Sequence, residues 1–116
     1  MNKTILVVVT SDPRTSHRPA EAVRIAAGVA AWRKVDVSLY LGGPAVLALS
    51  SDVDDLVNEE SFTEYLPMLS ESGRPVFVES GAARLAQVTD ARVAYSVIGR
   101  TELAALAAQT TYLVRF

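Results

Sequence analysis

There is no cysteine anywhere in this chain of 116 residues. That absence excludes disulfides, thiolate zinc sites and every mechanism that needs a cysteine nucleophile. The chain has one histidine, His17, so a histidine-rich metal site is not expected, and neither is any cofactor. Apolar runs are short. None approaches the roughly 20 residues that a membrane-spanning helix needs, and Met1-Asn2-Lys3 leads into a strand-like run, not a signal peptide. These absences together predict a soluble, cytoplasmic protein that does not engage a membrane. Internal repeats and low-complexity tracts are missing too.

What is present fits a single domain spanning residues 1–116, since this length supports one hydrophobic core but not two. Half of the residues are hydrophobic and the formal net charge is −2. The charge is segregated along the chain. Residues 1–34 carry six basic and two acidic side chains, residues 35–73 carry eight acidic and no basic ones, and residues 74–116 carry five basic and three acidic. A patchy distribution of this kind lacks the broad basic face of a nucleic-acid binder. It suits a solvated acidic loop or a protein partner of complementary charge.

The stretch TILVVVTSDPRTSHR, residues 4–18, organises the rest. An unbroken apolar run bounded by polar residues reads as a strand buried on both faces. A helix follows over residues 19–34, with Pro19 in its first turn, Glu21 near its positive end and Arg33-Lys34 near its negative end. Val23, Ala26, Ala27 and Ala30 form its small inner face, and Trp32 lies off that line. Residues 35–41 form a second strand, closed by Gly42-Gly43-Pro44, after which a short helix over 45–50 is expected. Residues 51–60 read as an acidic loop whose Asp52, Asp54 and Asp55 lack the glycine and glutamate spacing of an EF-hand. A helix over 62–72 should bury Leu66 and Leu69 and stop at Gly73, with Pro67 delaying or bending it. Strands follow at 75–78, 91–98 and 111–116. Helical stretches at 81–86 and 101–108 separate them, the latter capped by Thr101 with Glu102 in the first turn. Alternating strands and helices with long connections predict an α/β fold, a mainly parallel five-stranded sheet with helices on both faces.

Parallel strands bring their carboxyl ends to one rim, where open α/β sheets usually bind ligands. That rim should collect Thr10, Ser11, Asp12, Arg14 and His17 after the first strand and Gly42-Gly43 after the second. Glu79-Ser80-Gly81 follows the third, and Gly99-Arg100-Thr101 the fourth. Arg14, His17 and Arg18 beside a helix amino terminus could hold a small anion or a nucleotide. A solvated loop is the plainer reading. Ser11, Asp12 and His17 lack the strained nucleophile turn of a hydrolase and do not read as a triad. Glu79, directly after a buried strand, could be a desolvated general base with His17 or Arg14 near a substrate, or it could cap the next helix.

The segments ILVVVTSDP, VDVSLYLGGPAV, PVFVESGAARLAQV and LAAQTTYLVRF together resemble the DsrE/DsrF family, which includes TusD-like sulfur-relay subunits. The resemblance implies a three-layer α/β/α sandwich. It also implies assembly into homo-oligomers (dimers, trimers or hexamers) or hetero-oligomers with DsrE-like homologues. Catalytic members carry sulfur as a persulfide on a cysteine just after the third strand. In this sequence Glu79 stands at that position, with Ser80 beside it. A persulfide forms from a thiolate, which neither a carboxylate nor a hydroxyl replaces. Persulfide sulfurtransfer is therefore not expected unless a partner chain supplies the thiol. The expectation is a non-catalytic, oligomer-forming subunit related to tRNA thiolation or sulfur oxidation. The open alternatives are an anion or nucleotide module built on Thr10, Ser11, Arg14, His17, Gly42, Gly43 and Gly81, and a cysteine-independent enzyme using Glu79.

Overall fold

β1 (Lys3–Val9) is paired on both sides in parallel, with β2 (Val35–Leu41) on one and β5 (Tyr112–Arg115) on the other. The computed structural model describes residues 3–71, 76–88 and 90–116. β3 (Val76–Glu79) adds to β2 and β4 (Tyr95–Ile98) to β3, both parallel, so the sheet order is β4-β3-β2-β1-β5. The mainly parallel five-stranded sheet of the sequence reading forms, with every pairing among the described residues parallel. Its strand order was open from sequence.

That order decides where the helices lie. From β1 to β4 the chain steps across the sheet in one direction, and right-handed crossovers then keep the connections on one face. α1 (Arg18–Ala31) and α2 (Glu59–Glu71) pack side by side there. The return from β4 to β5 reverses direction, which puts α3 (Arg100–Ala108) on the opposite face. Side chains of β1 alternate accordingly. Val7 and Val9 enter the larger core with Val23, Ala26, Leu41, Phe62 and Leu66, whereas Leu6 and Val8 meet Tyr40, Ile98 and the α3 residues Leu103, Leu106 and Ala107.

The small inner face expected of α1 is present, with Pro19, Ala20, Ala22, Val23, Ala26 and Ala27 buried and Ala30 half-buried. The helix stops three residues earlier than expected. Trp32 caps it, and Arg33 takes a left-handed conformation (φ 60°) that turns the chain into β2. A 3-10 helix, Gly43–Leu49, fills the stretch after β2, and a second one, Ala83–Gln87, follows β3.

Three sequence expectations need correction. The acidic stretch is only partly loop, because α2 begins at Glu59 and takes Glu59 and Glu60 into its first turn, where the dipole favours carboxylates. Pro67 lies inside α2, as expected of a helix over 62–72, and of the two expected effects a late start is excluded because the helix begins at Glu59. β4 begins at Tyr95, not residue 91, because Arg92 is drawn away from the ladder. Its N–H donates to the Leu49 carbonyl (2.7 Å) and its Nη2 to the Ser51 carbonyl (2.8 Å). Finally, the cap of α3 is Gly99, not Thr101. The Glu102 carboxylate reaches back and accepts from the Gly99 N–H at 3.1 Å. The expected helix stop at Gly73 and strand start at Pro75 lie outside the described residues.

Phe62 and Leu66 are fully buried where α2 meets the sheet. Truncating Phe62→Ala should cost about 3–5 kcal/mol, read as a lower urea midpoint without a change of slope.

Candidate functional site

All five strands exit toward the same rim, and the hydrogen bonds there run from loop to loop. The Gly42 N–H donates to the Val9 carbonyl at 2.8 Å, which extends the β1–β2 ladder by one step. The Thr10 N–H donates to the Phe116 carbonyl oxygen at 3.1 Å, and Ser11 Oγ donates to the same oxygen at 3.3 Å. Strand order reverses between β1 and β5, the position at which open α/β sheets present a crevice. Here Phe116 and the Thr10-Ser11 backbone bond across it.

Glu79 is the last residue of β3 and pairs in register with Ile98, so its side chain is on the α3 face of the sheet. Its Oε1 accepts the Gly43 N–H at 3.0 Å in a half-buried setting. Gly43 donates from a left-handed conformation (φ +54°) that suits glycine. Gly42 is favoured for a different reason. A Cβ there would lie 3.1 Å from Tyr40 Cε1 and 3.4 Å from Thr10 Cγ2. The buried ring of Tyr40 therefore forms the floor beneath the Gly42-Gly43 turn. Burial, and then the Glu79 charge, raise the Tyr40 phenol above its ordinary pKa, so the hydroxyl stays protonated.

The structure thus brings together Thr10, Ser11, Gly42, Gly43 and Glu79. Ser80 is exposed and its N–H donates to the Ile98 carbonyl at 2.9 Å, while Gly81 makes the next turn at φ +81°. The charged residues of the first loop look elsewhere. Arg14 closes on Asp12 of its own loop through Nε–Oδ1 (3.0 Å) and Nη2–Oδ2 (2.8 Å). An anion arriving here would compete with Asp12 for that guanidinium. His17 is two-thirds exposed (67 %) and lies 3.5 Å from Glu21. Arg18 reaches the Arg115 carbonyl at 3.5 Å. Two grooves formed by described residues lie away from these side chains. One, about 310 Å³, sits between the ends of α1 and α2 and includes Ala27, Ala30, Val35 and Met68. The other, about 350 Å³, is lined by Val53, Asp54, Glu59, Glu60, Thr63 and Glu64.

Chemically, the Glu79 carboxylate is a hydrogen-bond acceptor fastening the end of β3 to the turn after β2. Sequence reasoning placed Glu79 on the rim but missed its partner and missed Tyr40. The available signal was Tyr40 two residues before a double glycine, the spacing of an aromatic ring lying against backbone that has no side chain.

Among known proteins, the DsrE/DsrF-like family model matches residues 3–116. The crystal structure of the YchN protein from E. coli superposes with a TM-score of 0.77 over 100 % of both chains at 19 % identity. No curated protein matches by sequence.

Two outcomes follow for this rim. Glu79→Ala should orphan the half-buried Gly43 N–H and lower stability by about 1–3 kcal/mol. Glu79→Gln, whose amide oxygen still accepts, should cost clearly less in the same urea titration. The second outcome concerns Asp12, whose carboxyl is held below its ordinary pKa chiefly by the Arg14 side-chain hydrogen bonds. A carboxyl lowered in the folded state contributes stability above its unfolded pKa and loses it as pH falls through the folded value. The stability advantage of the protein over Asp12→Asn should therefore hold at neutral pH and shrink on acidification below the carboxylate range.

Proposed function

The chain belongs to the DsrE/DsrF-like family, and from that premise we propose that it is a non-catalytic, oligomer-forming member related to the sulfur-relay proteins of tRNA thiolation or sulfur oxidation. It works in the cytoplasm, as a homo-oligomer or beside DsrE-like homologues, and does not itself carry sulfur. One observation carries this reading. At position 79, where the family resemblance puts a persulfide cysteine, stands a carboxylate already engaged by the Gly43 N–H, in a chain with no cysteine at all.

The chemistry behind it is simple. Sulfane sulfur is accepted by a thiolate attacking a sulfur–sulfur bond, and Glu79 and Ser80 offer only oxygen. A member that has exchanged the thiol for a backbone tether retains the fold and its surfaces, which is what a subunit contributes to an assembly.

Two measurements test this. Light scattering should return a defined multiple of the 12.4 kDa chain mass, either alone or with a DsrE-like homologue. After incubation with a persulfide donor, mass spectrometry should detect no added sulfur on the protein, with Glu79→Cys as the assay's reference. A strict monomer that binds no homologue, or sulfur retained covalently by the unaltered chain, would overturn the proposal.

A further inference from the structure

The outer surface of the molecule carries two patches of opposite character. On the first, Ile25, Val29 and Trp32 recur at the i, i+4, i+7 spacing of one helix stripe. Arg18 at the start of α1 bonds to the Arg115 carbonyl of β5, so the exposed strand β5 lies beside that helix. Trp32 is 65 % exposed and Tyr112 52 %, with Ile25, Leu113 and Val114 also open to solvent. Cations frame these apolar groups. Lys34 Nζ lies 5.8 Å from the Trp32 ring and Lys3 Nζ 5.8 Å from the Tyr112 ring, and Arg18, Arg24, Arg33 and Arg115 are exposed as well, so basic groups outnumber Glu21 of α1 and the two carboxylates, Asp36 and Glu71, that line the groove next to Arg33. An exposed tryptophan at the end of α1 and an exposed tyrosine on β5, with arginines around them, are the residue types enriched at interface hot spots.

Charge selects the occupant. A two-fold contact would set this cationic face against its own copy, and like charges in juxtaposition are costly. The complementary surface is on the same chain. The groove bounded by Val53 and Thr63 has Asp54, Glu59, Glu60 and Glu64 on its walls and a volume of about 350 Å³. No basic residue occurs anywhere between residues 35 and 73. Trp32 is at the end of α1 and the groove at the start of α2, and both helices run away from the carboxyl rim. The two patches thus lie toward opposite ends of the molecule, too far around it to meet within one copy.

We propose that the Trp32–Lys34 edge of one copy docks into the acidic groove at the start of α2 of a second copy. The contact is head to tail, and such heterologous contacts join more than two copies, as a ring where the rotation between copies closes. This inference rests on the oligomer reading above and specifies its faces.

The test uses Trp32→Glu, which breaks the cationic edge, and the double substitution Glu60→Lys with Glu64→Lys, which breaks the groove. Lys34→Glu replaces the first variant if it fails to fold by circular dichroism. Each variant alone should fall from the assembled mass to the chain mass in light scattering. Mixed at equal and raised concentration, the two retain one intact contact between them and should be cross-linked as a one-to-one heterodimer. Three results would overturn the inference while leaving the oligomer intact: neither variant dissociating it, only one doing so, or no heterodimer in the mixture. A wild-type chain that is monomeric and binds no DsrE-like homologue would instead remove the oligomer reading on which the inference rests.

Discussion

Parallel pairing of β1 on both of its edges is the constraint from which the rest follows. Because Leu6–Val8 are buried and paired with β2 and β5 at once, every strand is held in one direction and every loop that could carry chemistry leaves from the same rim. The stepping order then sends α1 and α2 to one face and α3 to the other. Both faces of β1 are consequently apolar, which is why its sequence reads as a continuous run and not as an alternation.

At the rim, the site is shaped more by backbone than by side-chain chemistry. Gly42 allows the Tyr40 ring to approach, Gly43 supplies a left-handed N–H, and Glu79 receives it. The geometry leaves the carboxylate occupied in the folded protein. Arg14 directs its positive charge to Asp12 two residues away. The Glu79 carboxylate thus acts as a tether between the end of β3 and the turn after β2.

Much of this was legible in the sequence, for identifiable reasons. Strongly apolar segments with no competing signal, as in residues 4–9 and 35–41, give strands whose direction follows from the helices between them. The grouping of Thr10, Ser11, Gly42, Gly43 and Glu79 follows from parallel order alone. What sequence could not reach were the contacts made by tertiary placement. Asn58 turns with φ 56° and lets α2 start at Glu59, so an acidic segment that looks like loop becomes the first turn of a helix. Arg92 is a β-compatible position by pattern, yet it is claimed by the carbonyls of Leu49 and Ser51. The partner of Glu79 is 36 residues away, and no local pattern announces a bond across that separation.

Native-state hydrogen exchange at the Gly43 amide tests the tether most directly. If Glu79 holds that N–H in the folded protein, the amide should be protected in the unaltered chain. In Glu79→Ala its protection should fall far more than that of the Gly42 amide, which donates to Val9. Rapid exchange of the Gly43 amide in the unaltered protein, or equal protection in both, would contradict the account.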